Sequence, residues 1–329
     1  MKKNLLILAV IILIAIAPAA ARGAQEQDPA IRVVTTIFPL YDIARTVAGE
    51  YAEVSLLLPP GIEAHSYEPT PMDILGINRA DLFIYAGEAM EPWAERVIGS
   101  LSGDVTVLDA SAYVSLLESD DDHHHHDHHD DHHHHDHHDD HHHHDDHHHH
   151  HHGVDPHFWT DPLQVIRVLK AVTEHLASID GEHAGIYEAN AEAYEQQLLD
   201  LHEYILREVE TLRVRTILYG GHYAFGYFAH RYGFDHVSPY RGFSPSAEPT
   251  AQRIIELIET MKELDIDVIY HEELIDPRVA RTISEETGAR MMLLHGIHNV
   301  TKDELEQGVS YISLMRDNIS RLKEGLGTR

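Results

Sequence analysis

The chain has 329 residues, with 24 Lys+Arg against 55 Asp+Glu for a formal net charge of −31, and it carries 33 His and no Cys. Acidity of that size excludes a phosphate-backbone mode of nucleic-acid binding, which needs a basic footprint, and a 43% hydrophobic content excludes wholesale disorder. The lack of cysteine excludes disulfides, thiolate metal sites, iron–sulfur clusters, a cysteine nucleophile and a lipidated cysteine anchor.

Residues 1–21 read as an export signal, with Lys2 and Lys3 ahead of an apolar run from Leu5 to Ala17 and small residues at Ala19–Ala21. The alternative is an uncleaved anchor, since Leu5–Ala21 falls just short of a comfortable membrane span. Either way the rest of the chain is expected to be periplasmic or otherwise extracytoplasmic. Short apolar runs then alternate with helical segments. Strands are predicted at Ile31–Thr36, Glu53–Leu58, Asp81–Tyr85 and Val105–Leu108, with helices at Asp42–Ala48, Pro71–Arg79 and Pro92–Leu101. This alternation indicates βαβ units and a parallel sheet.

From Asp120 to His152 every residue is Asp or His, 11 and 22 of them, with Asp121–His129 repeated as Asp130–His138. With no apolar residue the tract has nothing to bury, so a solvated, disordered loop is expected. Pro162–Leu212 is helical, broken near Asp180-Gly181, and its second part, 182–212, would be about 45 Å long. A second α/β region follows. It has strands at Thr216–Tyr219, Val268–Tyr270 and Arg290–Leu294, helices at Tyr223–Tyr232, Thr250–Leu264 and Arg278–Thr287, and a closing helix at Lys302–Lys323. The expected fold is α/β: two lobes, 31–181 and 213–329, each with a mainly parallel sheet flanked by helices, joined by a long rigid linker helix.

Four histidines outside the tract share a type of position. His65 follows the second strand, His222 follows Thr216–Tyr219, and His295 follows Arg290–Leu294; His157 lies in the proline-bracketed turn Asp155–Pro162. Ligands of open α/β sheets bind outside the carboxyl ends of the strands. Imidazole is the commonest transition-metal ligand, and a sulfur-free histidine set suits Zn²⁺. Any one of the four could be a plain solvated loop residue; their shared position makes them a candidate metal site. His175, His183 and His202 fall on polar helix faces, His230 and His236 flank a Tyr-Gly turn, and His271 and His298 adjoin strands. No His-Glu-x-x-His, G-x-S-x-G, Walker or G-x-G-x-x-G pattern is present.

Several segments resemble the zinc- and manganese-binding substrate-binding proteins of ABC transporters. They are Pro60–Asp73 (PGIEAHSYEPTPMD), Ala80–Glu88 (ADLFIYAGE), Asp155–Pro162 (DPHFWTDP), His222–Gly233 (HYAFGYFAHRYG), Ser246–Pro249 (SAEP) and Ser310–Asn318 (SYISLMRDN). They stand in that family's order from about Ile31 onward, and an Asp/His-rich loop before the second ligand segment is similar to its zinc-type members. The resemblance implies metal held between two lobes by His65, His157 and His222, with histidine at the third position favouring zinc over manganese. At the fourth position the family often has Asp, whereas this chain has Leu294-His295-Gly296-Ile297-His298. Position selects His295, with His298, Glu63, Glu272 or water as alternatives.

The function so implied is a monomeric receptor that captures Zn²⁺ and delivers it to a membrane ABC permease with a cytoplasmic ATPase, without catalysis. Metal affinity is expected to fall below about pH 6, because ligand imidazoles must be deprotonated, and the tract is expected to add weak, exchangeable sites. Two other readings stand beside it: an adhesin or host-factor binder on the same scaffold, and a metal-dependent hydrolase with Glu272 or Glu273 as base.

Overall fold

The computed structural model describes residues 31–118, 153–240 and 249–328. The expected signal segment 1–21, the Asp/His tract 120–152 and most of Ser246–Pro249 lie outside the described residues.

The first lobe runs β1 (Ile31–Thr35), α1 (Phe38–Ala48), β2 (Ala52–Leu56), α2 (Pro71–Ile77), β3 (Leu82–Tyr85), α3 (Ala94–Ile98) and β4 (Thr106–Asp109). Its four strands are all parallel in the order β2-β1-β3-β4. β3, with all four residues Leu82–Tyr85 buried, reads as a continuous apolar run because helices cover both faces of a parallel sheet. Helix α1 starts earlier than its apolar periodicity suggests, because Pro39 sits in its first turn, where a missing N–H costs nothing.

A short antiparallel pair follows, β5 (Leu117–Glu118) with β6 (Val154–Asp155), unforeseen from the sequence because each strand is two residues long. It pins the two flanks of the tract side by side. Then come α4 (Pro162–Ile179) and α5 (Ala184–Glu210).

The second lobe runs β7 (Thr216–Leu218), α6 (Gly226–Tyr232), β8 (Asp235–Val237), α7 (Ala251–Glu263), β9 (Val268–His271), α8 (Arg278–Thr287), β10 (Arg290–Leu293), α9 (Lys302–Glu306) and α10 (Tyr311–Leu326). Parallel pairs β7–β8 and β9–β10 are joined by a parallel bridge between Tyr219 and Tyr270. The resulting order, β8-β7-β9-β10, repeats that of the first lobe. β8 was missed because Asp235 and His236 are exposed and leave no apolar pattern. The closing helix expected over Lys302–Lys323 is two helices. Gly308, at φ 71°, breaks it, and Ser310 starts the second with a reciprocal capping box to Ser313.

Helix α5 extends about 40 Å at 1.5 Å per residue. It buries one stripe, Tyr187, Ala191, Tyr194, Leu198, Leu201, Ile205 and Val209, whose spacing of three and four residues is the helical period. That stripe lies against α1 and α4 of the first lobe and α10 of the second, so the helix is packed against both. Asp42 ties this junction together: its buried carboxylate accepts from Tyr194 Oη–H (2.7 Å), the Tyr311 backbone N–H (3.0 Å) and Arg45 (2.6 Å). Asp42→Ala would leave the Tyr194 hydroxyl and the first N–H of α10 buried and unpaired. It is expected to lower the unfolding free energy by roughly 2–4 kcal/mol in urea denaturation, with little of the loss coming from half-exposed Arg45.

Candidate metal centre

Each candidate side chain is positioned by hydrogen bonds of its own loop. After β2, the turn Pro59-Pro60-Gly61 leads into Glu63, whose two carboxylate oxygens accept the N–H groups of His65 and Ser66 at 2.8 Å each. This fixes the His65 loop and commits Glu63 to the backbone. The loop is also held from the other lobe. Asn299 donates to the Pro59 and Ile62 carbonyls at 2.8 Å each, and Gly61 N–H donates to the Val300 carbonyl (2.9 Å).

His157 precedes a 3-10 turn at Phe158–Thr160, and its ring Nδ1 lies 2.8 Å from Asp155 Oδ1, which also accepts the His157 N–H (2.9 Å). Trp159 Nε1–H donates to the Gly296 carbonyl and Tyr311 Oη–H to the Trp159 carbonyl, so this turn too is bound to the second lobe. His222, past the end of β7, gives its backbone N–H to Glu272 Oε1 (3.1 Å) and turns its Nδ1 toward Glu272 Oε2 (3.4 Å).

The three rings converge. Their centroids are 5.2 Å (His65–His157), 4.9 Å (His65–His222) and 4.9 Å (His157–His222) apart, and one ligand nitrogen from each can be chosen so that all lie within 4.8 Å. The Nε2 atoms of His65 and His157 are 3.1 Å apart. A tetrahedral zinc with Zn–N bonds of about 2.0–2.1 Å spaces its ligand nitrogens about 3.3 Å apart, so this pair already has the separation of two such ligands. His222 Nε2 is buried with no hydrogen-bond partner, a costly state for a polar atom unless something occupies the space it faces.

The electrostatics favour neutral rings. Burial, then the neighbouring His157, His222 and His298, holds His65 far below the ordinary imidazole range. His157 is pushed the same way by burial and by His222 and His298. Asp155 is pushed up to about 7 by burial, with the His157 N–H acting in the opposite sense. With Nδ1–H of His157 donated to Asp155, the ring's Nε2 carries a lone pair. In the metal-free pair His65 Nε2–H is then the donor to it.

The fourth expected residue is placed elsewhere. His295 is buried, but its main chain is clamped by Asn318, which accepts its N–H and donates to its carbonyl at 2.8 Å each. Its ring Nδ1 accepts the Ile297 N–H (2.9 Å). Ile297 is a β-branched residue at φ 66°, a conformation costing of the order of 1–3 kcal/mol. The imidazole of His295 therefore stabilises a strained turn and stands outside the trio. That turn carries His298 inward instead: its ring centroid is 6.4 Å from that of His65, it is 2% exposed, and neither ring nitrogen has a hydrogen-bond partner. Glu272, considered as a ligand or base from the sequence, has both oxygens on His222. Glu273 accepts the Gly296 N–H (2.7 Å) and faces His295 and His298.

Two lobes of like topology closing on a cluster of convergent imidazoles define a metal-binding receptor fold. The family of zinc-uptake complex component A, periplasmic (ZnuA), matches residues 33–325, and the chain belongs to this family of solute-binding proteins. It is 34% identical to the high-affinity zinc uptake system protein ZnuA of Bacillus subtilis over 307 residues, 92% of this chain and 90% of that protein. To the zinc-binding lipoprotein AdcA of Streptococcus pneumoniae it is 31% identical over 98% of its length, spanning 61% of that longer protein. Among solved structures, the Zn(II)-bound ZnuA-like domain of S. pneumoniae AdcA superposes with a TM-score of 0.70 at 29% identity, covering 90% of this chain and 98% of that one. The laminin-binding protein Lmb of Streptococcus agalactiae, described as an adhesin with metal-transporting activity, superposes with a TM-score of 0.74 at 25% identity, over 90% and 100% of the two chains.

The depressed basicity of His65 and His157 has a consequence for the metal-free protein. Below the unfolded-chain value of about 6.5 the unfolded state binds protons that these folded rings refuse, so stability is lost as pH falls from there. Between about pH 6.5 and 5 these two rings lower the stability of the metal-free protein, while Asp155, held up at about 7, acts in the opposite sense, so the comparison that isolates a ring is the parent against His157→Gln in urea denaturation. His157→Gln should reduce the slope of stability against pH by up to about 1.4 kcal/mol per pH unit.

Proposed function

We propose that the chain is an exported receptor that takes up Zn²⁺ in the inter-lobe cleft and hands it, as a monomer and without catalysis, to an ABC-type permease driven by a cytoplasmic ATPase. The observation that carries this reading is the convergence of His65, His157 and His222, from both lobes, with one ligand nitrogen of each within 4.8 Å of the others and the Nε2 atoms of His65 and His157 at the spacing of two ligands of a tetrahedral ion. His298, buried with both ring nitrogens unpartnered, supplies the fourth position in place of His295. An all-imidazole set is borderline-soft and neutral. It suits zinc, whereas manganese prefers carboxylate and water oxygens.

His65 is the least buried of the four rings and stands at the mouth of the cleft, so cargo enters and leaves on its side. The tract supplies weak, exchangeable sites, and β5 and β6 hold its flanks beside Asp155, two residues from His157. The hydrolase reading is weakened because both candidate bases are engaged, Glu272 with His222 and Glu273 with the Gly296 N–H and the rings of His295 and His298. The adhesin reading draws support only from the likeness to Lmb.

Zinc titration against a competing chelator, in protein lacking residues 120–152, should find one tight site. His157→Ala and His222→Ala should weaken it at least a hundredfold and His298→Ala about tenfold, while His295→Ala leaves binding within a few-fold. Loss of the tight site on deleting the tract would overturn the division of labour. The buried rings also revise the pH expectation. Metal on the tract should dissociate as its imidazoles protonate around 6.5, while the cleft, where burial opposes protonation of His65 and His157, keeps its ion to lower pH in equilibrium dialysis from pH 7.5 to 5.

A further inference from the structure

The cleft holds two buried carboxylates that are not among the proposed ligands. Asp155 is 1% exposed and Glu272 is 7% exposed, and each lies on the Nδ1 side of one imidazole, opposite the nitrogen turned toward the centre. Both also accept the backbone N–H of the same histidine, so ring and main chain are held by one group.

The sequence leaves room for these carboxylates at two glycines of a single segment, Gly221-His222-Tyr-Ala-Phe-Gly226. A Cβ on Gly221 would stand 2.6 Å from Glu272 Oε1, and one on Gly226 would overlap Asp155 Oδ2 outright. Neither glycine has a positive φ, so space, not backbone freedom, requires glycine there. One loop of the second lobe thus packs against the carboxylate partner of its own histidine and against that of the first lobe's His157.

We infer that Asp155 and Glu272 are positioning residues that lock His157 and His222 as Nδ1–H tautomers, presenting both Nε2 lone pairs to the metal, and that Gly226 and Gly221 exist to admit them. The inference rests on the imidazole ligation proposed above. An imidazole whose Nδ1–H is held by an anion cannot rotate or present N–H to the ion, and it is a stronger donor at Nε2. With a divalent ion bound, the carboxylates of Asp155 and Glu272 would also offset its charge without joining its coordination shell. Glu273 stands in a looser version of the same relation to His298, 3.7 Å from its Nδ1, beside Gly296.

The test is tautomer-resolved NMR of the metal-free, full-length protein labelled with ¹⁵N at histidine, with the two rings assigned by the signals lost in His157→Gln and His222→Gln. Both rings are expected as Nδ1–H in the unsubstituted protein; finding either as Nε2–H overturns the proposal without any further variant. In Glu272→Gln the amide can donate to Nδ1, so His222 should shift toward Nε2–H and zinc affinity should fall 10- to 100-fold by chelator competition. Gly221→Ala, which keeps every charge and displaces the carboxylate, should give a loss of the same size. If Glu272→Gln leaves His222 as Nδ1–H and zinc affinity within twofold, Glu272 is merely a buried structural group and the inference fails. If His157→Gln or His222→Gln instead left zinc binding intact, the ligand assignment would fail, a result separable from the tautomer readout.

Discussion

Several imidazoles brought together in a buried cleft can be neither charged nor idle, and the rest of this structure depends on that constraint. Protonation is opposed by burial and by the neighbouring rings, so His65 and His157 stay neutral. Neutral rings pointing at one another leave lone pairs that water or protein would ordinarily satisfy. Here no protein group hydrogen-bonds His222 Nε2 or either nitrogen of His298. A cation suits such a cluster, because it can accept one lone pair from each neutral ring and places positive charge where His65 and His157 refuse protons.

Holding the rings there requires two lobes that act as one body around the cleft. The Gly296–Val300 segment of the second lobe is bonded to the first at Trp159, Phe38, Pro59, Gly61 and Ile62. Asp161 reinforces the same face, capping α4 through the Leu163 N–H while receiving two hydrogen bonds from Arg231 of α6. On the opposite side α5 and α10 are fastened to α1 through Asp42. Such a frame leaves little room for the lobes to swing apart. On the proposed reading, exchange of cargo falls to the His65 side of the cleft, where the least buried of the four rings sits on a loop held by backbone contacts to Glu63 and Asn299.

Much of this could be read from residue order, for physical reasons that also explain where reading failed. A parallel βαβ lobe places its loops of interest after strand ends, so the convergence of His65 and His222 was foreshadowed by position, and that of the Asp155–Pro162 turn by its prolines. That His295 is not drawn into the trio could not be read the same way. After β10 the chain makes a turn with Ile297 at positive φ, which no apolar pattern or turn residue announces. That turn puts His298, not His295, beside His65. Similarity of the segment Ser310–Asn318 to the family was visible in the sequence, but its physical meaning was not: Asn318 clamps the main chain of His295 across 23 residues. Gly308 and the capping box at Ser310 were legible signals of a break in the closing helix, masked there by continuous helical periodicity. The carboxylates Asp155 and Glu272 were seen only as a turn residue and a candidate ligand or base, since a contact on the far side of a ring leaves no trace in spacing.

The central claim is that zinc is held by imidazoles alone, with His298 completing the set. X-ray absorption at the zinc edge, on protein lacking residues 120–152 and loaded with one equivalent of Zn²⁺, measures this directly. The account predicts four nitrogen neighbours at about 2.0–2.1 Å with outer-shell scattering from four imidazole rings, falling to three rings plus an oxygen in His298→Ala and unchanged in His295→Ala. A first shell dominated by oxygen, or loss of a ring in His295→Ala with none lost in His298→Ala, would contradict it.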